Sequence, residues 1–540
     1  MAGGKPRVAV GLINAVDEIP DQVALAFSLR CDYTVTPLGQ YKDGFTPFVE
    51  LSLEPRIWSS AIVGLHVSDM QAELSWALHM GIYSFMISIN GGDWLEKSIE
   101  FQRAFLPSHT EIWIRASDWG AWNSFRSSLS EPEMTQMCYV VLVLDDATSF
   151  IDGRWSAEPV VAVEVTAQAL QLHGQFIQQL CLGGAHLITN EFGVEAVKRF
   201  ISFLPEVSRD DQWVSGYQDF LQIPLQPLKD NLPNSTYAVF EHDRTKYDLY
   251  EEAITRELSK HQRDEPVRIA VGGAGRGGLV DASLRAASRA GCRVVVTAIE
   301  KNPHAVATLR AKCSQPSWEA VTVVQGSLKD VELPRLVDIM VTELLGSFGD
   351  NEASPECVND AMRLLDTVNG VSIPRSYTSS TEPISSHKLW NKISLDSVKL
   401  QTLYVVSLRQ VYFPSTAQFV FEFNHSRSLV DLEKRARLHF VNQGVDTVIH
   451  GFACYFHCDL GNGVTMSTHP ATKTPGMLSW FPGFLPLIDP VPLPAGAGLT
   501  LEISRCVRPC KALWYEWMVV EPVVGKLHNL NGKAYSVSLD

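Results

Sequence analysis

A chain of 540 residues, 46% hydrophobic and 19% charged, with a net charge of −15, is too long for one hydrophobic core and too acidic to present the basic face that nucleic acid demands. No apolar run approaches the roughly 18 residues that a bilayer-crossing helix needs. With no long apolar leader at the start, the ten cysteines are expected as reduced thiols in the cytoplasm and nucleus, and the acidic surface serves solubility or attracts Lys- and Arg-rich partners.

In chain order, eight apolar β-runs come first, at 7–13, 31–38, 61–67, 81–89, 111–116, 137–145, 160–167 and 185–190. Helix-like stretches lie between most of them, at 22–30, 71–80, 95–106 and 168–180, with another at 194–204. Runs buried on both faces and joined by helices predict a closed parallel (β/α)8-like barrel over 1–207. The acids Asp145 and Asp146 end one run and read as solvated loop residues. Pro224, Pro227 and Pro233 then break any helix, marking a linker over 208–235. Tyr247, Tyr250 and Ile254 recur at helical spacing within 245–260. A strand at 267–271, a glycine-rich turn, and further helices and strands as far as 341 predict a Rossmann-like domain over 236–376. Beyond Pro374 helical periodicity fades. Strand-like runs at 403–408, 418–423, 447–458, 499–503 and 513–520 predict an antiparallel β-domain over 377–540.

The glycine turn, with Gly273, Gly275 and Gly278, follows a strand and opens a helix. Such turns let a ligand approach the main chain, and the helix start favours a negative group. Glu300, at the end of the next strand, is placed to accept hydrogen bonds from ribose hydroxyls. The pattern specifies an adenosine cofactor and leaves NAD and S-adenosylmethionine open. Arg276, within the turn, inclines it toward S-adenosylmethionine, whose methionine part carries a carboxylate, although a pyrophosphate would also pair with a guanidinium.

Glu343 and Glu352 flank a loop containing Gly346 and Gly349, directly after the strand that ends at Val341. Two carboxylates facing one point repel, so one takes up a proton unless a cation lies between them. A guanidinium fits that place, being planar, always charged and rich in donors. Carboxylates gripping its N–H groups would draw positive charge away from one nitrogen and aim that nitrogen at an electrophilic methyl. This chemistry requires no metal.

At these residues the sequence resembles the type II protein arginine methyltransferases, the family that forms symmetric dimethylarginine. The resemblance rests on Gly-Ala-Gly-Arg-Gly at 273–277, Glu-Lys-Asn-Pro at 300–303 and Glu-Leu-Leu-Gly-Ser-Phe-Gly-Asp-Asn-Glu at 343–352. Pro-Leu-Gln-Pro-Leu at 224–228, Ser-Pro-Glu-Cys at 354–357, Pro-Gly-Met-Leu-Ser-Trp-Phe-Pro at 475–482 and Trp-Tyr-Glu-Trp at 514–517 extend it. It is dense from about Tyr217 onward and weak before, where the predicted barrel agrees with the family's N-terminal domain. The resemblance implies S-adenosylmethionine as cofactor, lined by Tyr237, Lys246, Tyr247, Gly273, Gly275, Glu300, Ser327 and Leu328, with Arg276 near its carboxylate. It implies Glu343 and Glu352 as the acceptor glutamates and Phe240 as the residue that restricts the product to the symmetric form. Tyr217, Leu225, Ser479 and Trp480 would face the substrate peptide, an Arg-Gly-rich segment of a histone or splicing-type protein. A homodimer or homotetramer is implied, together with a WD-repeat partner on the N-terminal domain. Two departures stand out: Ser327-Leu328 replaces the family's Asp-Met, and the N-terminal region, which carries the WD-repeat contact, is shorter than usual.

Other readings compete. Cys454 and Cys458 with Cys506 and Cys510 have four thiols, but three intervening residues and a strand-like setting suit zinc poorly. A dinucleotide-dependent oxidoreductase would need more alternating α/β structure after Met340. A catalytically weak scaffold with a decayed cofactor pocket would account for Ser327 but not for the intact glutamate pair.

Overall fold

The computed structural model describes residues 8–13, 25–26, 28–37, 62–65, 84–89, 95, 99, 111–129, 134, 137–208, 212–261, 265–425 and 429–539. The expected helix at 71–80, nearly all of that at 95–106 and part of that at 22–30 lie outside the described residues. Two compact units emerge, and they do not follow chain order: 386–395 and 409–412 belong with the first 215 residues, and the remainder forms the second unit.

In the first unit eight strands, β1 (Val10–Ile13), β2 (Tyr33–Pro37), β3 (Ile62–Leu65), β4 (Ser84–Ser88), β5 (Glu111–Ala116), β6 (Cys138–Leu144), β7 (Val160–Val165) and β8 (His186–Thr189), close into a barrel. β1 pairs in parallel with both β2 and β8, which leaves no edge. The two-residue period of a strand sorts its side chains. In β5, Ile112 and Ile114 pack outward with Phe85, Leu142 and the helix residues Trp122 and Phe125, whereas Trp113 joins Tyr33, Met86, Val141 and Ile188 inside. The unit's described helices include α1 (Trp119–Ser128), α2 (Ala167–Leu182) and α3 (Val194–Ser202), with a short one at His387–Asn391. α1 is absent from the sequence expectations; Asp118 caps it by accepting the Ala121 amide. Asp145 and Asp146 are exposed, and their hydrogen bonds stay local, to Ala147, Thr148 and Thr166.

The second unit opens with α4 (Asn234–His242) and α5 (Arg244–Leu258). A parallel sheet follows, built from β9 (Val267–Gly272), β10 (Val294–Glu300), β11 (Val321–Gln325), β12 (Ile339–Thr342) and β13 (Val371–Ile373) in the order β11-β10-β9-β12-β13. Its helices are α6 (Gly278–Ala290), α7 (Pro303–Lys312) and α8 (Ser354–Ala361). The chain order reverses between β9 and β12, which is where open α/β sheets bind ligands.

Two antiparallel sheets complete this unit. One contains β14 (Ser376–Ile384), β15 (Tyr404–Val405), β16 (Gln418–Asn424), β18 (Thr447–Gly461), β19 (Val464–Ser467) and β20 (Gly483–Leu493). The other contains β17 (Lys434–Val441), β21 (Gly498–Arg508), β22 (Ala512–Glu521) and β23 (Val537–Ser538). One apolar core runs from Val271 and Ile339 of the parallel sheet through Phe348 and Tyr377 to Phe421, Phe456 and Trp517. β17 and β20 escaped the sequence reading for different reasons. Arg435, Arg437 and His439 alternate with the apolar side of β17, and Pro486, Pro490 and Pro492 make β20 read as a loop.

Candidate active site

The pairing of Thr342 with Gly272 sets the glycine turn and the glutamate loop side by side at the carboxyl ends of β9 and β12. The turn is wound through positive φ at Gly273 (69°), Gly275 (54°) and Gly277 (97°). A Cβ at Gly277 would stand 2.5 Å from the Trp318 ring, so only glycine satisfies both the dihedral and the space. Four side chains rim the turn: Tyr237 beside Gly275, Leu344 beside Gly273, Leu328 beside Gly272 and Tyr247 beside Gly278. Glu300 is buried, and its two oxygens accept the Gly275 and Asn302 amides at 2.7 and 2.8 Å, leaving one lone pair on each for a hydroxyl pair. Asn302 in turn donates to the Tyr237 hydroxyl at 3.2 Å. A glycine-rich turn, a rim of Tyr237, Tyr247, Leu328 and Leu344 and an oriented carboxylate fit an adenosine cofactor.

The loop from 343 to 352 folds on itself. Gly346 and Gly349 exchange backbone hydrogen bonds of 3.1 and 2.8 Å, and Asn351 accepts the Phe348 amide at 2.7 Å. Below it lies a buried ionic anchor: the Arg505 guanidinium bonds Asp350 at 2.6 Å and both oxygens of Glu356 at 2.9 Å. Ser379 and Tyr515 also donate to Asp350. This anchor grips the chain on either side of Glu352. Burial, then the nearby Glu343 charge, push the Glu352 carboxyl well above the usual carboxylate range, against an opposing pull from Lys246. Glu352 keeps some solvent-accessible surface, yet the protein around it is dense enough for desolvation to dominate. Glu343 accepts the Lys246 ammonium at 3.1 Å and the Leu345 amide at 3.2 Å.

The family model described as PRMT5 arginine-N-methyltransferase matches residues 208–373, and that of the PRMT5 oligomerisation domain matches 376–537. The chain is 32% identical to Protein arginine N-methyltransferase 5 of Oryza sativa subsp. japonica, over 97% of this chain and 96% of that protein. It is 31% identical to Protein arginine N-methyltransferase 5 of Xenopus laevis over the whole of both. With Protein arginine N-methyltransferase skb1 of Schizosaccharomyces pombe it shares 31% identity over 78% of this chain and 75% of that one. The chain belongs to the protein arginine N-methyltransferase 5 family. It is therefore an arginine methyltransferase that uses S-adenosylmethionine, which sets aside the oxidoreductase and scaffold readings, and its β-domain is the family's oligomerisation domain.

Within this methyltransferase the expected site residues gather in the second unit. Phe240, Tyr247 and Trp480 surround the Lys246 ammonium, at 5.3, 5.1 and 5.1 Å from the ring centres. Burial works against charge on Lys246, but Glu343 and its neighbours outweigh it and hold the ammonium above its ordinary value. The Trp480 indole donates to the Leu345 carbonyl at 2.8 Å, stitching the β-domain to the glutamate loop. Tyr217 is half exposed and faces Phe481, next to Trp480; Leu225 is exposed further along the same segment. Ser327 accepts the Lys329 amide of its own turn, while Leu328 is buried with Ile299 and Met340. Arg276 is spoken for: Glu241 takes it bidentately and Asn234 accepts a further hydrogen bond. The four cysteines weighed against a zinc site differ in setting, with Cys454 and Cys458 buried in β18, Cys506 half-buried and Cys510 exposed.

Sequence reasoning missed Asp243. One of its oxygens caps α5 at the Lys246 amide. The other accepts the Leu478 amide and the Ser479 amide and hydroxyl at 2.9, 2.8 and 2.7 Å. It thereby joins the Phe240–Lys246 corner to the loop bearing Trp480. An Asp directly ahead of a helical run is a capping signal, so half of this role was visible. Arg505 was also missed, although it shares the inward parity of Leu501 and Ile503 on β21, an arrangement that flags a buried charge.

Proposed function

We propose that the protein forms mono- and symmetric dimethylarginine on Arg-Gly-rich proteins such as histone tails and splicing-type factors, in the cytoplasm and nucleus, with Glu343 and Glu352 as the acceptor pair. The observation that carries this is a two-carboxylate loop in which one member already holds a buried cation and the other is pressed toward its protonated form. When bound, S-adenosylmethionine supplies a sulfonium methyl open to displacement. Glu343 and Glu352 grip the guanidinium N–H groups, draw positive charge from the reacting nitrogen and fix its direction. An arriving guanidinium favours ionised Glu352, and a Glu352 oxygen then receives the surplus proton. Trp480 and Phe240 exclude water on either side. The Phe240 ring limits the room beside the acceptor, supporting its assignment to the symmetric product. Tyr237, Lys246, Tyr247, Gly273, Gly275, Glu300, Ser327 and Leu328 line the cofactor, and Arg276, held by Glu241 and Asn234, braces the glycine turn; Tyr217, Leu225 and Ser479 shape the peptide channel. The oligomerisation domain supports a homodimer or homotetramer, and the closed N-terminal barrel is the surface for a WD-repeat partner.

Transfer of a labelled methyl group to an Arg-Gly peptide tests the reading. Glu343→Gln should lower turnover by at least 1,000-fold, in the range of lost transition-state electrostatics, and leave cofactor binding nearly intact. Turnover within tenfold of the parent would refute the acceptor role. Phe240→Met should admit asymmetric product, scored by mass spectrometry.

A further inference from the structure

We propose that Tyr535, in the segment joining β22 to β23, is a positioning residue of the acceptor site: its hydroxyl donates to the Glu352 carboxylate, directly or across one water molecule, and so favours the ionised form that grips the guanidinium. This rests on the acceptor role of Glu352 argued above.

The Tyr535 hydroxyl oxygen is buried and has no hydrogen-bond partner among the described residues. Such groups are rare, because an unpaired buried hydroxyl costs free energy that a phenylalanine of nearly the same shape would not. The backbone that carries it is, by contrast, fully held. The Asn529 side chain accepts the Ala534 and Tyr535 amides, each at 3.0 Å, and donates to the Tyr535 carbonyl at 2.7 Å. Gln226 fixes the residues that follow, donating to the Ser536 carbonyl and accepting the Ser538 amide. Main-chain partners on both sides thus mount the ring in one place, and its polar end is left unspent.

The same clamp ties that place to the glutamate loop. Asn529 also donates to the Tyr515 carbonyl at 3.0 Å, and the Tyr515 hydroxyl donates at 2.6 Å to Asp350, two positions before Glu352. The Tyr535 ring packs against the core that contains Phe348 and Ala353, which lie on either side of Glu352 in the chain. Charge marks the neighbour: burial first, then the Glu352 carboxylate, hold the Tyr535 proton more tightly than water would. Glu343 and Lys246 are the other charges that act on Glu352, whose carboxyl accepts no hydrogen bond among the described residues. An unspent donor and a carboxyl short of donors therefore share one interior. A hydroxyl accepts from a protonated carboxyl and donates to an ionised one, and the bond to the charged form is the stronger, which shifts the balance toward ionised Glu352.

The pH dependence of kcat on an Arg-Gly peptide, measured with the full chain, tests this. Its acid limb reports the ionisation of Glu352 in the substrate complex. Tyr535→Phe removes the donor and raises the Glu352 carboxyl further, so the limb should move to higher pH by about one unit, roughly a tenfold loss of turnover on the acid side. Turnover above the limb should approach the parent's, and S-adenosylhomocysteine affinity should change by less than threefold. Because the hydroxyl has no bond to lose in the folded protein, Tyr535→Phe should resist urea at least as well as the parent. Placing 3-fluorotyrosine at position 535, a more acidic phenol and a better donor, should move the limb to lower pH, a reversal that ring packing alone would not produce; this second replacement decides the matter even where the first folds poorly. A limb unmoved by either replacement, or moved the same way by both, overturns the positioning role and leaves Glu352 an acceptor. Parent-like turnover in Glu352→Gln overturns the acceptor reading and the role of Tyr535 together.

Discussion

Replacing Arg505 with methionine should loosen the glutamate loop from a position on the opposite domain. Arg505 and Asp350 are fully buried, and the guanidinium serves Asp350, both oxygens of Glu356 and the Leu432 carbonyl. Methionine fills much of the same space but leaves two carboxylates in the interior without their cation. Ser379 and Tyr515 still donate to Asp350, so part of the solvation survives; stranding one side of a buried pair costs about 3–5 kcal/mol. Because Asp350 and Glu356 bracket Glu352, the cost falls on the loop. If the opening is local, amides such as that of Phe348, bonded to Asn351, should exchange roughly 100- to 3,000-fold faster at about 1.4 kcal/mol per decade. Residue-resolved hydrogen exchange measures this beside urea denaturation, and turnover should fall with it, since small displacements of a reacting group are expensive. Adding Asp350→Asn and Glu356→Gln should recover much of the stability by removing the stranded charges. A loss below about 1 kcal/mol with unchanged exchange at Phe348 would show that the anchor does not hold the loop.

Asp243→Ala removes three hydrogen bonds to Leu478 and Ser479; peptide KM should rise at least tenfold while S-adenosylhomocysteine affinity changes by less than threefold, and a KM equal to the parent's would dismiss the link. Gly277→Ala forces a Cβ toward Trp318 at a φ of 97°; it should cost about 1–3 kcal/mol and weaken S-adenosylhomocysteine binding, read by calorimetry. Glu382 is buried, and desolvation raises its carboxyl from 4.5 to about 7, partly opposed by the Tyr455 hydroxyl that it accepts at 2.6 Å. Between those values the unfolded chain has released this proton and the folded chain retains it, so stability drains as pH rises through the window. The penalty is absent below pH 4.5 and complete above pH 7. Glu382→Gln should therefore stabilise the protein by roughly 3 kcal/mol at pH 8 and by nearly nothing at pH 4, as followed by denaturation at the two values.

The elements legible in the sequence are those whose signal is local. Alternation of apolar runs announced the barrel and the parallel sheet, because burial on two faces imposes itself on every residue of a strand. The glycine turn and Glu300 were legible because positive φ and a strand-end acid are requirements of a few consecutive residues. The loop from Glu343 to Glu352 was legible for the same reason, its two glycines permitting the return. The tertiary structure alone decided which charges meet. Lys246 reaches Glu343 across 97 positions, Arg505 reaches Asp350 across 155, and Ser479 reaches Asp243 across 236. No spacing rule spans such separations. Each pairing arises because packing removes both groups from water, and an isolated buried charge costs more than a partner brought from any distance along the chain.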